Sequence, residues 1–404
     1  MKHDMRDTTQ NTISITVQGS NDVPEYQNLM YSDEQDMQRL GKKQELHRSF
    51  SFTSILGFVA IAMGTWEIIL SATAAGLTNG GTGGMIWMFV ASYCCFGTIV
   101  LSLAEMSSMA PTAGGQYRGW PSTGLSMLVG QVTAIYGLIG SDGAAHMAEE
   151  TKNASILVPR CMIWSYILNG SMGIVMLITY CYCLTDVSSA LDPTTNPSGF
   201  PYIYVFRSVT GSDAGAIGLT SIILVLGLAG ATSFFASTSR QTFAFARDRG
   251  LPAFKWIAAV QGRSKLPLNA ILVTYAFTVL LSLINLGSTI AFNAIISLQL
   301  LALMATYAVS IGCILLRRIR RETLPPARWS LGRYGLLINA FAFFYSLFAI
   351  IFICFPVSLP VEAASMNWAI VMFVGVLSIA LVYYYVHGHR VYHGPVVLVQ
   401  TLGS

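Results

Sequence analysis

Two stretches of the chain place acidic side chains beside glycines inside apolar sequence. The first, GTWE, occupies residues 64–67 and ends in Glu67. The second, LIGSDGAAHMAEE, occupies residues 138–150 and contains Asp142 and His146. Charge is costly at membrane depth, and glycine allows a helix to break there. A charged, glycine-interrupted apolar segment is therefore typical of a transport path.

Protons are the first species these side chains could handle. Glu67 and Asp142 are the candidate proton-coupling residues, because a buried acid can change its charge within the working pH range. His146 also titrates near neutrality, but it ranks behind them as a residue that could face the cytosolic exit. Two alternatives remain: Glu67 has a purely structural role, or the second segment ends at Ile139 and leaves its acids among the lipid headgroups.

Composition requires a membrane protein. Of 404 residues, 53% are hydrophobic and only 10% are charged, and the mean hydropathy is +0.58. Soluble domains carry about 25% charged residues. The net charge of +4 comes from basic residues beside apolar runs, which argues against a nucleic-acid partner. All seven cysteines lie in or beside apolar runs, so we expect neither a disulfide framework nor a metal site, and no cofactor.

The hydropathy pattern predicts an all-α polytopic protein with three regions. A cytosolic N-terminal tail covers residues 1–50, a transmembrane domain covers 51–388, and a cytosolic C-terminal tail covers 389–404. The tail sequence DEQDMQRLGKKQELHRSFS could form a surface helix. The domain has eight apolar runs long enough to span a bilayer and a shorter ninth at 124–139. The eight lie at 54–77, 83–106, 162–184, 216–238, 268–286, 290–315, 335–356 and 367–386.

The charges of the loops predict how the chain is oriented in the membrane, but the predictions from the two ends of the chain conflict. The loops at 238–268 and 315–335 each carry six basic residues, so the positive-inside rule makes them cytosolic. Tracing backward from them places residues 107–123 outside. Tracing forward from a cytosolic N-terminus, pinned by Lys42, Lys43 and Arg48, places the same residues inside. Either the 124–139 segment does not span, an odd number of spans is missing, or the charge rule is violated.

Several motifs together resemble one family. They are LGKKQELHRSFS at 40–51, GTWE at 64–67, AEMSSMAPTAGGQY at 104–117, GSDGAAHMAEE at 140–150, STSRQTFAFARDRGLP at 237–252, MNWAIV at 366–371 and VYHGPV at 391–396. Their order along the chain is similar to that of the fungal amino-acid permeases of the amino acid–polyamine–organocation superfamily, in the branch that includes GABA and choline permeases. The resemblance covers most of the chain from about residue 40 to 397.

The resemblance implies a fold similar to that of the leucine transporter, with an inverted five-helix repeat. Its first and sixth spans are unwound in mid-membrane around the substrate, and here they correspond to 54–77 and to 124–150. The family has twelve spans, whereas the third to fifth are absent from this chain near residues 118–120. An incomplete fold of about eight or nine spans is therefore expected. Three missing spans also explain the charge conflict most simply.

The function that the resemblance implies is secondary-active transport of amino acids or small amines such as GABA or choline, with protons as the coupling ion. Gly64, Thr65, Gly140 and Ser141 would then receive the carboxylate or polar head of the substrate at the broken helices. Trp66 would cover an amine by cation–π contact or, alternatively, pack against a neighbouring helix.

A cytosolic gate is the other site that the resemblance implies. Arg240, Arg247 and Asp248 match the gate motif of the family, and an ordinary basic belt at the membrane surface is the alternative. The plasma membrane is the expected location, with the vacuolar membrane as the alternative.

Other functional classes fit the sequence less well. The main alternative is a protein that does not transport, because three spans are missing. It would be a truncated isoform or gene model, or a nutrient sensor that kept the fold. An enzyme is not expected, since the chain has no HExxH, GxSxG or P-loop motif. A plain channel fits the glycine breaks and buried acids less well than alternating access does.

Overall fold

The structure, a computed structural model, is helical almost throughout. It describes residues 49–107, 123–192, 194–260, 266–287, 289–322, 324, 327–355 and 366–392. The expected surface helix before Arg48, the expected deletion near 118–120 and most of the C-terminal tail lie outside these ranges. A β-bridge joins Phe50 and Thr151.

The helices follow one another with short connections. They are α1 (Phe52–Met63), α2 (Thr65–Ser71), α3 (Thr73–Ser107), α4 (Thr123–Leu138), α5 (Gly143–His146), α6 (Ala154–Cys183), α7 (Val187–Leu191), α8 (Pro201–Thr210), α9 (Asp213–Arg247), α10 (Phe254–Ile257), α11 (Leu268–Gly287), α12 (Thr289–Ile319), α13 (Gly335–Ile353), α14 (Ala369–Tyr383) and α15 (His389–Val391). Short 3₁₀ turns cover Ala148–Glu150 and Gly332–Tyr334, and a π-helical turn covers Tyr384–Gly388.

Seven helical stretches in the described part are long and apolar enough to cross a membrane. They are Phe52–Ser71, Thr82–Ser102, Ala154–Cys183, Asp213–Arg247, Ala294–Ile319, Gly332–Ile353 and Ala369–Val391. The run at Leu268–Ile284 is a shorter apolar helix, and α4 has 16 residues. The expected all-α polytopic membrane architecture is confirmed.

Both predicted helix breaks are present. Gly64 separates α1 from α2 with a left-handed φ of 45°, and Gly140 follows α4 with a φ of 104°. Glycine alone adopts these backbone conformations without a steric penalty. Ser51 begins α1 as its N-cap, where the backbone N–H of Ser51 donates to Oγ of Ser54 at 2.8 Å. The sequence therefore starts and stops α1 through local interactions.

The two breaks lie against each other. A Cβ atom added to Gly140 would stand 3.5 Å from Cα of Met63, the last residue of α1. One added to Gly137 would stand 2.9 Å from Cγ1 of Ile69 on α2. The end of α4 thus runs beside α2, and the two interrupted helices meet where each is unwound. Helices α6 and α9 both pack against α1.

Four segments meet at one end of the helices, which we call the basic face. Phe50 bridges to Thr151 there, Arg247 at the end of α9 pairs with Glu149, and Arg328, just before α13, donates to Oδ1 of Asn153 at 2.9 Å. Arginine-rich loops that the charge rule predicts to share one side of the membrane therefore do lie together.

The conflict in chain direction lies between α3 and α4. Near its start, α3 contacts the far end of α6, where the Cys181 thiol lies 3.9 Å from the carbonyl oxygen of Thr82. Near its end, Ser102 accepts a hydrogen bond from Asn339, close to the start of α13 at the basic face. Helix α4, in contrast, approaches the Gly140 break from the half of the protein that contains Ile69. The connecting residues, 108–122, lie outside the described part.

The region between 238 and 249, expected as a loop, is largely helix. Helix α9 has 35 residues and ends at Arg247. The length of the apolar run alone predicts that the span ends at 238, because the polar residues Ser239, Arg240 and Gln241 follow it. The polar side chains of this last part of α9 find partners on residues 142–150, which we call the α5 segment.

Gly140 and Gly143 offer a matched pair of substitutions. We expect Gly140→Ala to lower the free energy of unfolding by about 1–3 kcal/mol, because alanine is strained at this positive φ. Its methyl group would also lie 3.3 Å from the ring of Phe234. A Cβ at Gly143 has nothing within 4 Å, so Gly143→Ala should be neutral. Unfolding in mixed SDS micelles measures both, and equal stabilities would contradict the strain at residue 140.

Candidate functional site

Asp142 lies in a buried polar cluster contributed by three elements. It is 4% exposed, and its Oδ2 lies 3.2 Å from Nε2 of His146, one turn along. The amide of Gln241 on α9 contacts the same histidine nitrogen, and Tyr307 on α12 forms a hydrogen bond with Asp142. Asp142 is therefore enclosed by protein, because α5 continues the chain among the other helices beyond Ile139.

The hydrogen bonds of His146 depend on which of its two ring nitrogens carries a hydrogen. A single Nε2 atom donates to the Asp142 carboxylate when it carries a hydrogen, and accepts from the Gln241 amide when it does not. It cannot do both at once. Moving the hydrogen of the neutral ring from Nδ1 to Nε2 would thus exchange a hydrogen bond to α9 for one to Asp142.

Two arginines of α9 hold the end of this segment. Nε of Arg240 lies 2.7 Å from Oε1 of Glu150, and these side chains are 14% and 10% exposed. Both terminal nitrogens of Arg247 bind the carboxylate of Glu149, at 2.8 and 2.6 Å. Glu149 and Glu150 are therefore not free acids in the headgroup zone, as one alternative had it. The ion pairs bring them to α9.

Of the expected gate residues, Arg240 and Arg247 thus form ion pairs between α9 and the α5 segment. Asp248 has a different position: it is the C-cap of α9. It lies close enough to Tyr392 to contribute, after burial, to raising the pKa of that tyrosine. The sequence grouped Arg247 with Asp248 because they are adjacent along the chain. In the structure, Arg247 instead binds the carboxylate of Glu149 through two hydrogen bonds.

Glu67 lies in the first turn of α2, immediately after the break at Gly64. Its Oε2 is shielded from solvent and has no hydrogen-bond partner in the described part of the chain. Thr65 is fully buried and faces α6, where a Cβ on Gly173 would meet its methyl group at 2.9 Å. Trp66 is partly buried against the main hydrophobic core, which supports its packing role.

Gly140 and Ser141 are buried beside Met63, and Ser141 is only 1% exposed. The five expected substrate-binding residues therefore gather at the crossing of the two breaks. Among the residues that the structure describes, no group of three or more His, Cys, Asp or Glu side chains could hold a metal ion.

Sequence reasoning missed Gln241, Tyr307 and the partners of both arginines. Gln241 directly follows Arg240 in a motif that had been noted, and Tyr307 is a buried tyrosine inside an apolar helix. Neither the motif around Gln241 nor the apolar run around Tyr307 indicates a contact with a residue more than sixty positions away. An unpaired polar residue within an apolar run was the only available signal.

A backbone bridge connects the two broken helices at the basic face. The N–H of Phe50 donates to the carbonyl of Glu150 at 2.9 Å, and the N–H of Lys152 donates to the carbonyl of Phe50 at 3.0 Å. The chain entering α1 is therefore fixed to the chain leaving α5. With the two ion pairs, this bridge gathers α1, the α5 segment and α9 at one level.

Comparison with known proteins agrees with this arrangement. A family model described as amino acid permease matches residues 117–376. A Macrophomina phaseolina protein, provisionally named an amino acid/polyamine transporter, is 33% identical over 291 residues, which are 70% of this chain and 63% of that protein. Amino-acid permease 2 of Neurospora crassa is 30% identical over 69% of this chain and 50% of its own length.

A choline transporter of Saccharomyces cerevisiae is also similar, at 27% identity over 68% of this chain and 48% of that protein. The chain thus matches between about half and 63% of the length of these curated relatives. The family match covers more than half of the chain and includes the second break, the paired arginines and the tyrosine of the buried cluster. This protein belongs to the amino acid permease family and is an integral membrane protein.

Proposed function

We propose that this chain carries the transport unit of a secondary-active permease for amino acids or related small amines, such as GABA or choline, driven by protons. The observation that carries the proposal is the crossing of two interrupted helices at Gly64 and Gly140, each with an acid beside it: Glu67, partly buried, and Asp142, buried. Broken helices at the centre of a membrane protein supply both polar backbone and mobility to a substrate site.

Substrate binding is assigned to Gly64, Thr65, Trp66, Gly140 and Ser141, which surround the crossing. Backbone groups freed by the breaks would hold the polar ends of a small substrate. The names of the relatives cover amino acids, polyamines and choline. They support a small nitrogen-containing substrate without selecting one.

Proton coupling is assigned to Glu67 and Asp142, the acids beside the two breaks. Asp142 has the surroundings of a proton carrier, since His146 and Gln241 form hydrogen bonds whose pattern changes with protonation. Arg240 and Arg247, followed by the cap residue Asp248, would form the cytosolic gate. Opening this gate requires separating the carboxylates of Glu149 and Glu150 from α9.

The basic face is assigned to the cytosol, so both termini lie inside, and the plasma membrane is the proposed location. The N-terminal chain reaches the basic face at Phe50. The arginine-rich segment before α13 reaches it at Arg328. Both observations agree with the positive-inside rule.

Uptake by the purified protein in liposomes tests the proposal. An inward proton gradient should drive accumulation of at least one of leucine, GABA, putrescine and choline, and collapsing the gradient with a protonophore should stop it. Accumulation that survives the protonophore would contradict proton coupling. Absence of any uptake, with the protein correctly inserted, would contradict transport by this chain.

A transport-inactive protein, as sensor or truncated product, is the second candidate. The positions of α3 and α4 favour this candidate. The end of α3 lies toward the basic face and the start of α4 toward the opposite face, and residues 108–122 connect the two. If this candidate is right, the chain gives no uptake. Inserting three spans from a longer relative between Tyr117 and Trp120 should then restore it.

A further inference from the structure

The segment that joins α12 to α13 carries an excess of positive charge. Its sequence from 317 to 333 contains six arginines, no lysine and a single acid, Glu322. Two of the arginines have structural contacts: Arg328 donates to the N-cap of α6, and the guanidinium of Arg318 lies where a Cβ on Gly335 would stand. The other four are exposed, and we call them the arginine patch: Arg317, Arg320, Arg321 and Arg333.

Glu322 neutralises only part of this charge. Arg321 turns the chain at the end of α12 with a φ of 54°, and the N–H of Glu322 donates to the carbonyl of Arg317 at 3.0 Å. The Glu322 carboxylate consequently lies 3.5 Å from Arg317 and 3.8 Å from Arg320, and both arginines share it. Four guanidiniums and one carboxylate leave an excess of three positive charges. In the ion pairs of α9, by contrast, each arginine has its own carboxylate.

The arginine patch adjoins an exposed apolar surface. Helices α12 and α13 pack against each other, and a Cβ on Gly312 would stand 2.9 Å from the ring of Phe343. On the outer side of this pair, Val309 and Leu316 of α12 are 68% and 46% exposed, and Leu337 of α13 is 70% exposed. Leu316 lies one turn before the patch, on the same face of α12. The arginines therefore lie at the end of a surface suited to hydrocarbon chains.

A phospholipid has the same order of groups, with phosphate at one end and acyl chains below it. Arginine binds phosphate oxygens through two parallel hydrogen bonds, which a lysine cannot do. Basic pockets between helices on the cytosolic side of a membrane hold anionic headgroups, and the cytosolic leaflet supplies such lipids. A phosphatidylinositol monophosphate carries one charge on its phosphodiester and up to about two on its phosphomonoester. Its total charge is opposite to the excess of the arginine patch.

We propose that the arginine patch binds the phosphorylated headgroup of a phosphoinositide in the cytosolic leaflet, with the acyl chains along Val309, Leu316 and Leu337. The bound lipid touches both α12 and α13 and holds their ends together at the basic face. This inference goes beyond transport and relies only on the orientation proposed above, because neither the substrate nor the coupling ion enters it.

Lipid binding can be measured directly by native mass spectrometry of the purified full chain in neutral detergent. The probes are phosphatidylinositol monophosphate, phosphatidylserine and phosphatidylcholine with identical acyl chains. The phosphoinositide should bind about tenfold more tightly than either other lipid, and added salt should weaken its binding because exposed charges are screened. An equal affinity for phosphatidylserine or phosphatidylcholine would overturn the proposal.

Variants of opposite charge assign the binding to the arginine patch. Arg317→Gln combined with Arg320→Gln should weaken phosphoinositide binding by about 25-fold, which is about fivefold for each arginine. Glu322→Gln should tighten binding by about fivefold, because it frees both arginines from their shared carboxylate. Arg207→Gln is the matched control, since this exposed arginine lies on α8, outside the patch. Equal weakening by Arg207→Gln would show that net charge alone attracts the lipid, contrary to the proposal.

Two further measurements separate the lipid from a soluble anion and binding from folding. Inositol bisphosphate, the headgroup without acyl chains, should not displace the phosphoinositide at equal concentration. Displacement would identify a soluble phosphate as the ligand and overturn the proposal. Arg321→Gly removes a charge at a position whose positive φ suits glycine, so the protein should fold at least as well as the natural chain. It should still bind the lipid about fivefold more weakly, and unchanged affinity in this variant and in the double variant would also contradict the site.

Discussion

Replacing Arg240 by methionine should lower the free energy of unfolding by about 3–5 kcal/mol, the largest stability change expected in the protein. The substitution leaves the Glu150 carboxylate, 10% exposed, without the guanidinium that now lies 2.7 Å away. A buried charge that loses its partner retains the full cost of desolvation. Unfolding in mixed SDS micelles measures the change.

A second substitution separates loss of the pair from loss of packing. Arg240→Met combined with Glu150→Met removes both charges, so most of the stability should return. Arg207→Met is the exposed counterpart, since Arg207 and Asp213 pair at 2.7 Å with side chains 65% and 71% exposed. It should cost less than about 1 kcal/mol. Equal losses for Arg240→Met and Arg207→Met would show that the α9 pair is not effectively buried.

Asp142→Asn should abolish proton-driven accumulation while leaving exchange of substrate across the membrane. Asparagine keeps the size of the side chain and an acceptor for His146 and Tyr307, but it cannot take up a proton. One pH unit of gradient provides about 1.4 kcal/mol per proton, enough for up to about tenfold accumulation. The natural chain should approach this ratio in liposomes, and Asp142→Asn should reach equal concentrations on both sides.

Asp192→Asn provides the control for this experiment. Hydrogen bonds from the backbone and then the hydroxyl of Thr194 hold the pKa of Asp192 below its ordinary range. This exposed acid therefore stays charged throughout the assay, and its replacement should leave accumulation unchanged. Gradient-dependent accumulation by Asp142→Asn would exclude Asp142 as the proton carrier.

The helix breaks could be predicted from sequence because their cause is local. Gly64 and Gly140 permit a positive φ that other residues resist, and each lies beside an acid in an apolar run. The ion pairs could not be predicted in the same way. Arg240 and Glu150 are 90 positions apart, and hydropathy indicates only where a run loses its apolar character. It therefore placed the end of the helix before Arg240, and it left the lipid headgroups as an alternative position for Glu150.

The same limit applies to the polar ends of the substrate site. Sequence identifies Gly64 and Glu67 as neighbours but does not reveal that the carboxylate turns back toward the glycine. A helix break was expected to attract a carboxylate through its N–H groups. Oε2 of Glu67 lies 3.6 Å, and the carbonyl oxygen of Ile61 3.8 Å, from the point where a Cβ on Gly64 would stand, so two acceptor oxygens also border the break.

The bridge between Phe50 and Thr151 determines which genetic changes this junction tolerates. Its hydrogen bonds come from backbone atoms alone, so most amino-acid replacements at residue 50 preserve them. Proline there removes the N–H that binds the Glu150 carbonyl. Inserting or deleting one residue between Phe50 and the start of α1 would shift the pairing and separate the two broken helices. Natural variation at this point should therefore include many substitutions, but neither proline nor changes in length.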